Sequence, residues 1–205
     1  EKTSSIKASL YGPVSPAATN GHSWGFWATQ GLKEQTELAR QRWHKWQIIT
    51  AERKVTQTAD SHPYCRLDSR DWLTHCLNII DGNIQQEPDN LPTPGAKPVF
   101  DSRPPNVPDG AMLQHFKGVE IKAAQPCFSP DTAILMDFRC DQSRGIHFIY
   151  LLPYSPTEAL VESTMLSPER QNDEFYAEAI KTYLETYWAT GGWQVNHTEQ
   201  GCIPM

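Results

Sequence analysis

Several marks of well-known function classes are missing from this 205-residue sequence. Its longest strongly apolar run, residues 146–152, is far shorter than the roughly 20 residues that a bilayer-spanning helix needs, and it predicts a buried strand. The five cysteines form no CxxC pair, which disfavours a disulfide framework and a zinc site and favours a reducing compartment. The seven histidines show neither HxxxH nor HExxH spacing, so nothing supports metal catalysis.

Basic residues are too few for a nucleic-acid-binding protein. The chain has 18 Lys and Arg against 24 Asp and Glu, a formal net charge of -6, and no basic cluster that would recognise phosphates. We therefore expect no nucleic-acid partner. The sequence also lacks an initiator Met and a signal-peptide pattern, and it stops just after a predicted strand, so we expect it to be an internal piece of a longer protein.

The first half of the chain predicts a mixture of helices and strands. Residues 1–20 are rich in Ser, Ala, Pro and Gly without periodicity and predict a lead-in loop. Beyond them we expect a helix at 31–46, a strand at 47–58, and a helix at 70–80 with Ser69 as its N-cap. Residues 81–108 are dense in Pro, Asp, Asn and Gly, which predicts a junction containing one short strand at 97–101.

The second half predicts a sheet followed by a helix. Four strand-like segments come in succession, at residues 116–122, 132–140, 146–154 and 159–166. Sequential strands with short connections imply an antiparallel meander. An amphipathic helix at 172–189 and a strand at 193–203 complete the pattern, so the fold class is α+β.

Six stretches resemble segments of the lycopene cyclase family of flavoproteins, in its bacterial form. The most specific is residues 148–164, which resembles a Tyr-x-Leu-Pro-x-Ser stretch that continues into an apolar-Glu-x-Thr motif. The other five stretches are residues 22–26, 66–69, 99–104, 113–121 and 199–205. The family's Gly-x-Gly-x-x-Gly turn, which binds the flavin pyrophosphate, is absent from this chain.

The resemblance implies part of an FAD-binding, Rossmann-like, two-domain flavoprotein fold with an antiparallel-sheet substrate domain. Residues 21–108 would belong to the flavin-binding domain and residues 109–205 to the substrate domain, after the lead-in at 1–20. The implied cofactors are reduced FAD and NAD(P)H, and the implied substrate is lycopene. A cytoplasmic protein that docks on a membrane surface would suit so insoluble a substrate.

Two glutamates are the candidate catalytic residues. A Glu162 side chain in an apolar pocket would have a raised pKa, as a general acid requires, although a solvated strand Glu is commoner for this pattern. The resemblance implies that Glu162 protonates lycopene or stabilises the resulting cation. Glu120 could steady positive charge or accept the departing proton, and its alternative is a simple ion pair with Lys117 or Lys122.

The remaining candidates would contact cofactor or substrate. Asp101 and Arg103 could orient the flavin, although an Asp-x-Arg after a short strand is also an ordinary turn with an ion pair. Aromatic side chains could line a channel for the polyene and stabilise a cation through their π faces, although such residues are more often core. We expect the substrate contacts to be Trp24, Phe26, Tyr150 and Pro153.

The predicted function is the cyclisation of the ends of lycopene to β-ionone rings, first to γ-carotene and then to β-carotene. Reduced flavin would stabilise the cation without net redox change. Two alternatives stay open at this stage. One is a flavin-dependent monooxygenase or oxidoreductase of the same fold, and the other is a non-catalytic carotenoid- or lipid-binding module.

Overall fold

The computed structural model describes residues 10–11, 21–79, 84–85, 100, 107–188 and 190–205. The elements of the first half are β1 (Leu10–Tyr11), β2 (Ser23–Trp27), α1 (Lys33–Leu38), β3 (Gln41–Trp43), β4 (Lys45–Ile49), β5 (Lys54–Thr58), β6 (Tyr64–Asp68), α2 (Ser69–Ile79) and β7 (Ile84–Gln85). Those of the second half are β8 (Leu113–Ala123), β9 (Thr132–Asp137), β10 (Ile146–Pro153), β11 (Glu158–Ser167), α3 (Asp173–Tyr187) and β12 (Trp193–Pro204).

A seven-stranded sheet with the order β12-β8-β11-β10-β9-β4-β5 forms the centre of the fold. Its strands pair antiparallel except for β4 and β9, which run parallel. The predicted meander is correct for β9, β10 and β11. Strand β8 departs from it, because it pairs with β11 and β12 and not with β9. The hairpin β4–β5 from the first half extends the same sheet, while the predicted domain division near residue 108 stays a prediction.

Helix α3 covers one face of this sheet. It begins after Asn172, whose side chain caps the helix by accepting a hydrogen bond from the backbone N–H of Phe175 at 3.0 Å. Its buried side chains pack on alternate, inward-facing residues of the central strands, because successive strand residues point to opposite faces. The core of this layer includes Val119, Ile121, Ile149, Leu151, Val161, Ile180, Tyr183 and Leu184.

A small antiparallel sheet with the order β2-β6-β3 covers part of the other face. Trp43 of β3 is fully buried and donates its indole N–H to the carbonyl of Pro153 at 3.0 Å. Its ring packs with Leu152 and Leu160 of the large sheet. The face of β8, β11 and β12 that carries Glu120, Glu162 and Glu199 therefore lies between the large sheet and the small sheet.

Several local predictions in the first half were wrong. The helix expected over residues 31–46 ends at Leu38, because the alternating burial of the following residues places Trp43 in the core as part of a strand. The strand expected over 47–58 is a hairpin, closed by hydrogen bonds between Thr50 and Arg53. Strand β6 was not predicted.

Helix α2 lies where the sequence predicted it, but its N-cap is Asp68 and not the predicted Ser69. The Asp68 side chain accepts a hydrogen bond from the backbone N–H of Arg70 at 2.9 Å, whereas the Ser69 hydroxyl accepts one from the N–H of His22. The strand predicted at 97–101 lies outside the described residues except for Phe100, which has no regular structure. None of the helices that the structure describes is long and apolar enough to cross a membrane.

Candidate active site

Four residues form one row across the central strands of the large sheet. Tyr150 pairs with Glu162, Glu162 pairs with Gly118, and Gly118 pairs with Glu199 on its other side. Cross-strand partners point to the same face of a sheet. The row lies on the face away from α3, since Val119 and Val161, the next residues along their strands, belong to the core beneath that helix.

Glu162 has the environment of a general acid. Its Oε1 accepts a hydrogen bond from the hydroxyl of Thr164 at 2.6 Å, and it has no ion-pair partner among the residues that the structure describes. Burial raises the pKa of Glu162 from an ordinary 4.5 to about 7, Thr164 opposes the shift, and the charge of Glu199 adds to it. The carboxyl group therefore retains a proton near neutral pH.

Glu199 is a buried carboxyl group, with 4% of its side chain exposed. Its Oε2 accepts a hydrogen bond from the backbone N–H of Ser23 at 3.0 Å and lies 3.8 Å from Nδ1 of His22. Burial raises the pKa of Glu199, while the hydrogen bond from Ser23 and the charge of His22 act in the opposite direction. The residues at the start of β2 thus stabilise the ionised form of Glu199, whereas burial disfavours that form.

Glu120 lies two residues beyond Gly118 on the same face, and its charge is compensated. Nη2 of Arg66 lies 2.6 Å from its Oε1, and the hydroxyl of Tyr154 donates to the same oxygen at 3.0 Å. Arg66 is itself fixed by the Ser23 hydroxyl and lies 4.4 Å from the centre of the Tyr154 ring. This geometry suits a structural carboxylate better than a proton donor.

Aromatic rings form a wall beside these carboxyl groups. The ring centre of Tyr64 lies 5.1 Å from that of Trp27 and 6.1 Å from that of Trp43. Burial and the charge of Glu162 raise the pKa of Tyr150 to about 12, and burial also raises the pKa of Tyr64, so both phenols stay neutral. The Tyr64 hydroxyl fits only because Gly25 has no side chain, since an ideal Cβ there would lie 1.9 Å from it.

The structure brings only some of the predicted site residues together. Glu162, Glu120 and Tyr150 share one face of the large sheet. Trp24 and Phe26 point away from the carboxyl groups, because they alternate with Ser23, Gly25 and Trp27, which face them.

Pro153 contributes its backbone carbonyl, which accepts the hydrogen bond from the indole N–H of Trp43. Asp101 and Arg103 lie outside the described residues.

Sequence reasoning missed Glu199, Tyr64 and Arg66 as members of the site. An isolated glycine inside a strand often marks a close approach of other groups, and Gly25 and Gly118 were available signals of this kind. No group of three or more His, Cys, Asp or Glu side chains in the described part of the chain is placed to hold a metal ion. A groove of about 470 Å³ between α3 and the β9–β10 turn lies on the opposite face from the carboxyl groups.

The family model described as lycopene cyclase protein matches residues 87–205, which include β8, β11 and β12 with all three glutamates. The chain belongs to the lycopene cyclase family. Over 94% of its length it is 26% identical to a lycopene beta-cyclase from Pantoea ananas, covering 54% of that protein. It is 35% identical to a lycopene beta-cyclase from Paracoccus sp. over 95 residues, which are 45% of this chain and 24% of that protein.

The chain thus spans about half the length of the Pantoea protein and about a quarter of the Paracoccus protein, as these matches align. A crystal structure of a geranylgeranyl bacteriochlorophyll reductase-like protein from Thermoplasma acidophilum is similar, with a TM-score of 0.56 at 9% identity. The match covers 88% of this chain and 55% of that one. At this identity the likeness shows the fold alone, and it confirms the predicted fold class.

Proposed function

We propose that this chain carries the proton-donating residues of a lycopene β-cyclase and that Glu162 is the acid. The observation that supports this most strongly is the position of Glu162, a partly buried carboxyl group with a pKa raised to about 7. A general acid works best when its pKa lies near the working pH. Membership of the cyclase family favours this function over a flavin monooxygenase or a non-catalytic carotenoid-binding module.

The proposed reaction moves one proton in and one proton out. Glu162 gives its proton to the terminal double bond of lycopene, and the electron pair of that bond forms the new C–H bond. The cation that results is attacked by an internal double bond, which forms the ring bond and leaves the positive charge on the ring. Loss of a proton then forms the ring double bond, so the reaction involves no net redox change.

The aromatic wall would favour the cationic stage of this reaction. The π face of an aromatic ring attracts a desolvated cation by about 2 kcal/mol. Tyr64 and Tyr150 both lie close enough to Glu162 for its charge to raise their pKa values. Because their hydroxyls stay neutral, these rings would shield the cation from water without supplying a competing base.

Reduced FAD and NAD(P)H are expected from the sequence resemblance, and bound flavin would supply additional electrostatic stabilisation of the cation. Strand β6 runs directly into helix α2, and the residues at this junction, Arg66 to Ser69, contain no glycine. The junction therefore lacks the glycine-rich turn of a pyrophosphate site. The predicted flavin contacts of Asp101 and Arg103 stay a proposal.

The predicted location, cytoplasmic and peripheral to a membrane, also stays a proposal. It follows from the chemistry of the substrate, because lycopene is an apolar polyene that partitions into lipid. A protein that takes it from a bilayer needs an apolar docking surface but no membrane span.

A matched pair of variants in the full-length protein that carries this chain tests the function. Glu162→Gln keeps size and polarity but removes the acid, so uncyclised lycopene should accumulate in a lycopene-producing bacterial host. The expected loss of rate is roughly 10²- to 10⁴-fold. The control, Glu169→Gln, changes an exposed residue just after β11 and should leave β-carotene formation unchanged. Normal cyclisation by the Glu162 variant at equal protein level would refute the assignment.

A further inference from the structure

We propose that Glu199 is a positioning residue for the acid, the carboxylate that keeps the proton on Glu162 until it is transferred. The inference rests on the proposed function and deepens it. Sequence reasoning assigned the second acidic role to Glu120, and the structure places a different carboxyl group beside Glu162.

The geometry at Gly118 carries this inference. Glu162 and Glu199 are both register partners of Gly118, one from each neighbouring strand. An ideal Cβ on Gly118 would lie 3.3 Å from Oε2 of Glu162 and 3.2 Å from Cγ of Glu199. The two side chains therefore lean over the same backbone position, in the space that a side chain on β8 would occupy.

Burial raises the pKa of both carboxyl groups, but their neighbours favour the ionised form of one more than that of the other. The backbone N–H of Ser23 donates to Glu199 and His22 lies beside it, and both favour its ionised form. Among the described residues, the one hydrogen-bond donor to the Glu162 carboxyl group is the neutral hydroxyl of Thr164. Two carboxyl groups that share a site avoid ionising together, so the negative charge on Glu199 raises the proton affinity of Glu162.

The other titratable groups around the pair do not cancel this effect. From β8, the charge of Glu120 disfavours the ionised form of Glu199, and Arg66 of β6 places an opposite charge 2.6 Å from Glu120. From β6 and β10, Tyr64 and Tyr150 stay neutral. On β12 itself, His197 precedes Glu199 by two residues on the same face, and its Nε2 is buried without a hydrogen-bond partner among the described residues.

The pair also explains how the proton returns. When Glu162 has protonated the terminal double bond, both carboxyl groups carry a negative charge within the same site. Their repulsion favours recapture of a proton, and the ring cation is a proton source because it must lose one to form its double bond. The proton lost from the ring restores the starting state, and no oxidant or reductant is consumed.

Titration of Glu162 in the full-length protein tests the pairing directly. Glutamate ¹³Cδ NMR would follow the carboxyl carbon of Glu162, identified by its loss in Glu162→Gln. In Glu199→Gln the midpoint of Glu162 should fall by roughly half a unit to one unit, because the like charge is gone. In Glu199→Asp, which keeps the charge, it should fall less, and in the control Glu169→Gln it should not move. An unchanged or raised midpoint in Glu199→Gln would overturn the inference.

If Glu199→Gln does not fold, the titration of Glu162 in the wild-type protein provides a second test. Coupled carboxyl groups titrate in two steps, so the Glu162 carbon should also respond when Glu199 ionises at lower pH. A single step would count against the pairing. The outcome is separable from that of the proposed function: a coupled titration with normal cyclisation by Glu162→Gln would keep the pair and reject the acid.

Discussion

Glu162 and Glu199 are held over a single glycine by two strands that both pair with β8. A residue with any side chain at position 118 would separate them, because its Cβ would lie within 3.3 Å of an atom of each. Strand pairing therefore brings the two carboxyl groups together. The site can therefore be tested by substituting Gly118 as well as by substituting the two glutamates.

The first prediction concerns that backbone position. In Gly118→Ala the added methyl group displaces both carboxyl groups by a few tenths of an ångström, and small displacements of catalytic groups are costly. We expect cyclisation to fall roughly tenfold to a hundredfold, as measured by pigment analysis. Folding should survive, because alanine is favoured over glycine inside a strand by about 0.5–1 kcal/mol.

The matched control for this substitution is Gly31→Ala. An ideal Cβ at Gly31 meets nothing within 4 Å, so this variant should cyclise lycopene as the wild type does. Full activity of Gly118→Ala would show that the spacing of the two carboxyl groups is unimportant.

The second prediction separates Glu120 from Glu162. Glu120→Gln removes the ionic partner of Arg66, whose side chain is only 10% exposed, and should lower the free energy of unfolding by about 1–3 kcal/mol. Cyclisation should fall far less than in Glu162→Gln once protein levels are matched. Urea denaturation and product analysis measure the two effects. A stable Glu120→Gln protein without cyclase activity would contradict the structural role of Glu120.

Much of the second half of the fold could be predicted, because there the signals are local. Strands β8 to β12 and helix α3 follow alternating and helical periodicity, and Asn172 is an ordinary N-cap. The pairing of β8 with β11 was beyond sequence reasoning, because it depends on long-range contacts. Without that pairing, nothing in the sequence places Glu199 beside Glu162.

The first half was harder because its elements are short and depend on the large sheet. Trp43 occupies a strand, where its ring packs on Leu152 and Leu160 and its N–H binds Pro153, although its neighbours predicted a helix. Tertiary packing outweighs local propensity in such a case. Trp24 and Phe26 show the same limit, since a strand of five residues does not by itself reveal which face is inward.

The third prediction links the site to stability. The pKa of Glu162 is raised in the folded protein to about 7 from 4.5, so the protonated carboxyl group stabilises the fold fully below pH about 4.5. That contribution is lost as the pH rises through about 7. The free energy of unfolding of the wild type relative to Glu162→Gln should therefore decrease over this range, by about 3 kcal/mol.

This comparison removes the opposite trend from the buried histidines. Burial lowers the pKa values of His115 and His147, so they favour the folded state at higher pH and destabilise it as the pH falls. Both contributions are common to the wild type and Glu162→Gln and cancel in the difference. A difference that is constant from pH 4.5 to 8 would contradict the raised pKa of Glu162.

The central claim, that protonated Glu162 starts the cyclisation, is tested most directly by the pH dependence of kcat/KM for the full-length protein. The account predicts a level rate at low pH and a decrease of about tenfold per pH unit above pH about 7, where Glu162 loses its proton. The residual activity of Glu162→Gln should not show this decrease above pH about 7. A wild-type rate that is constant through pH 8.5, or the same decrease in Glu162→Gln, would show that another group supplies the proton.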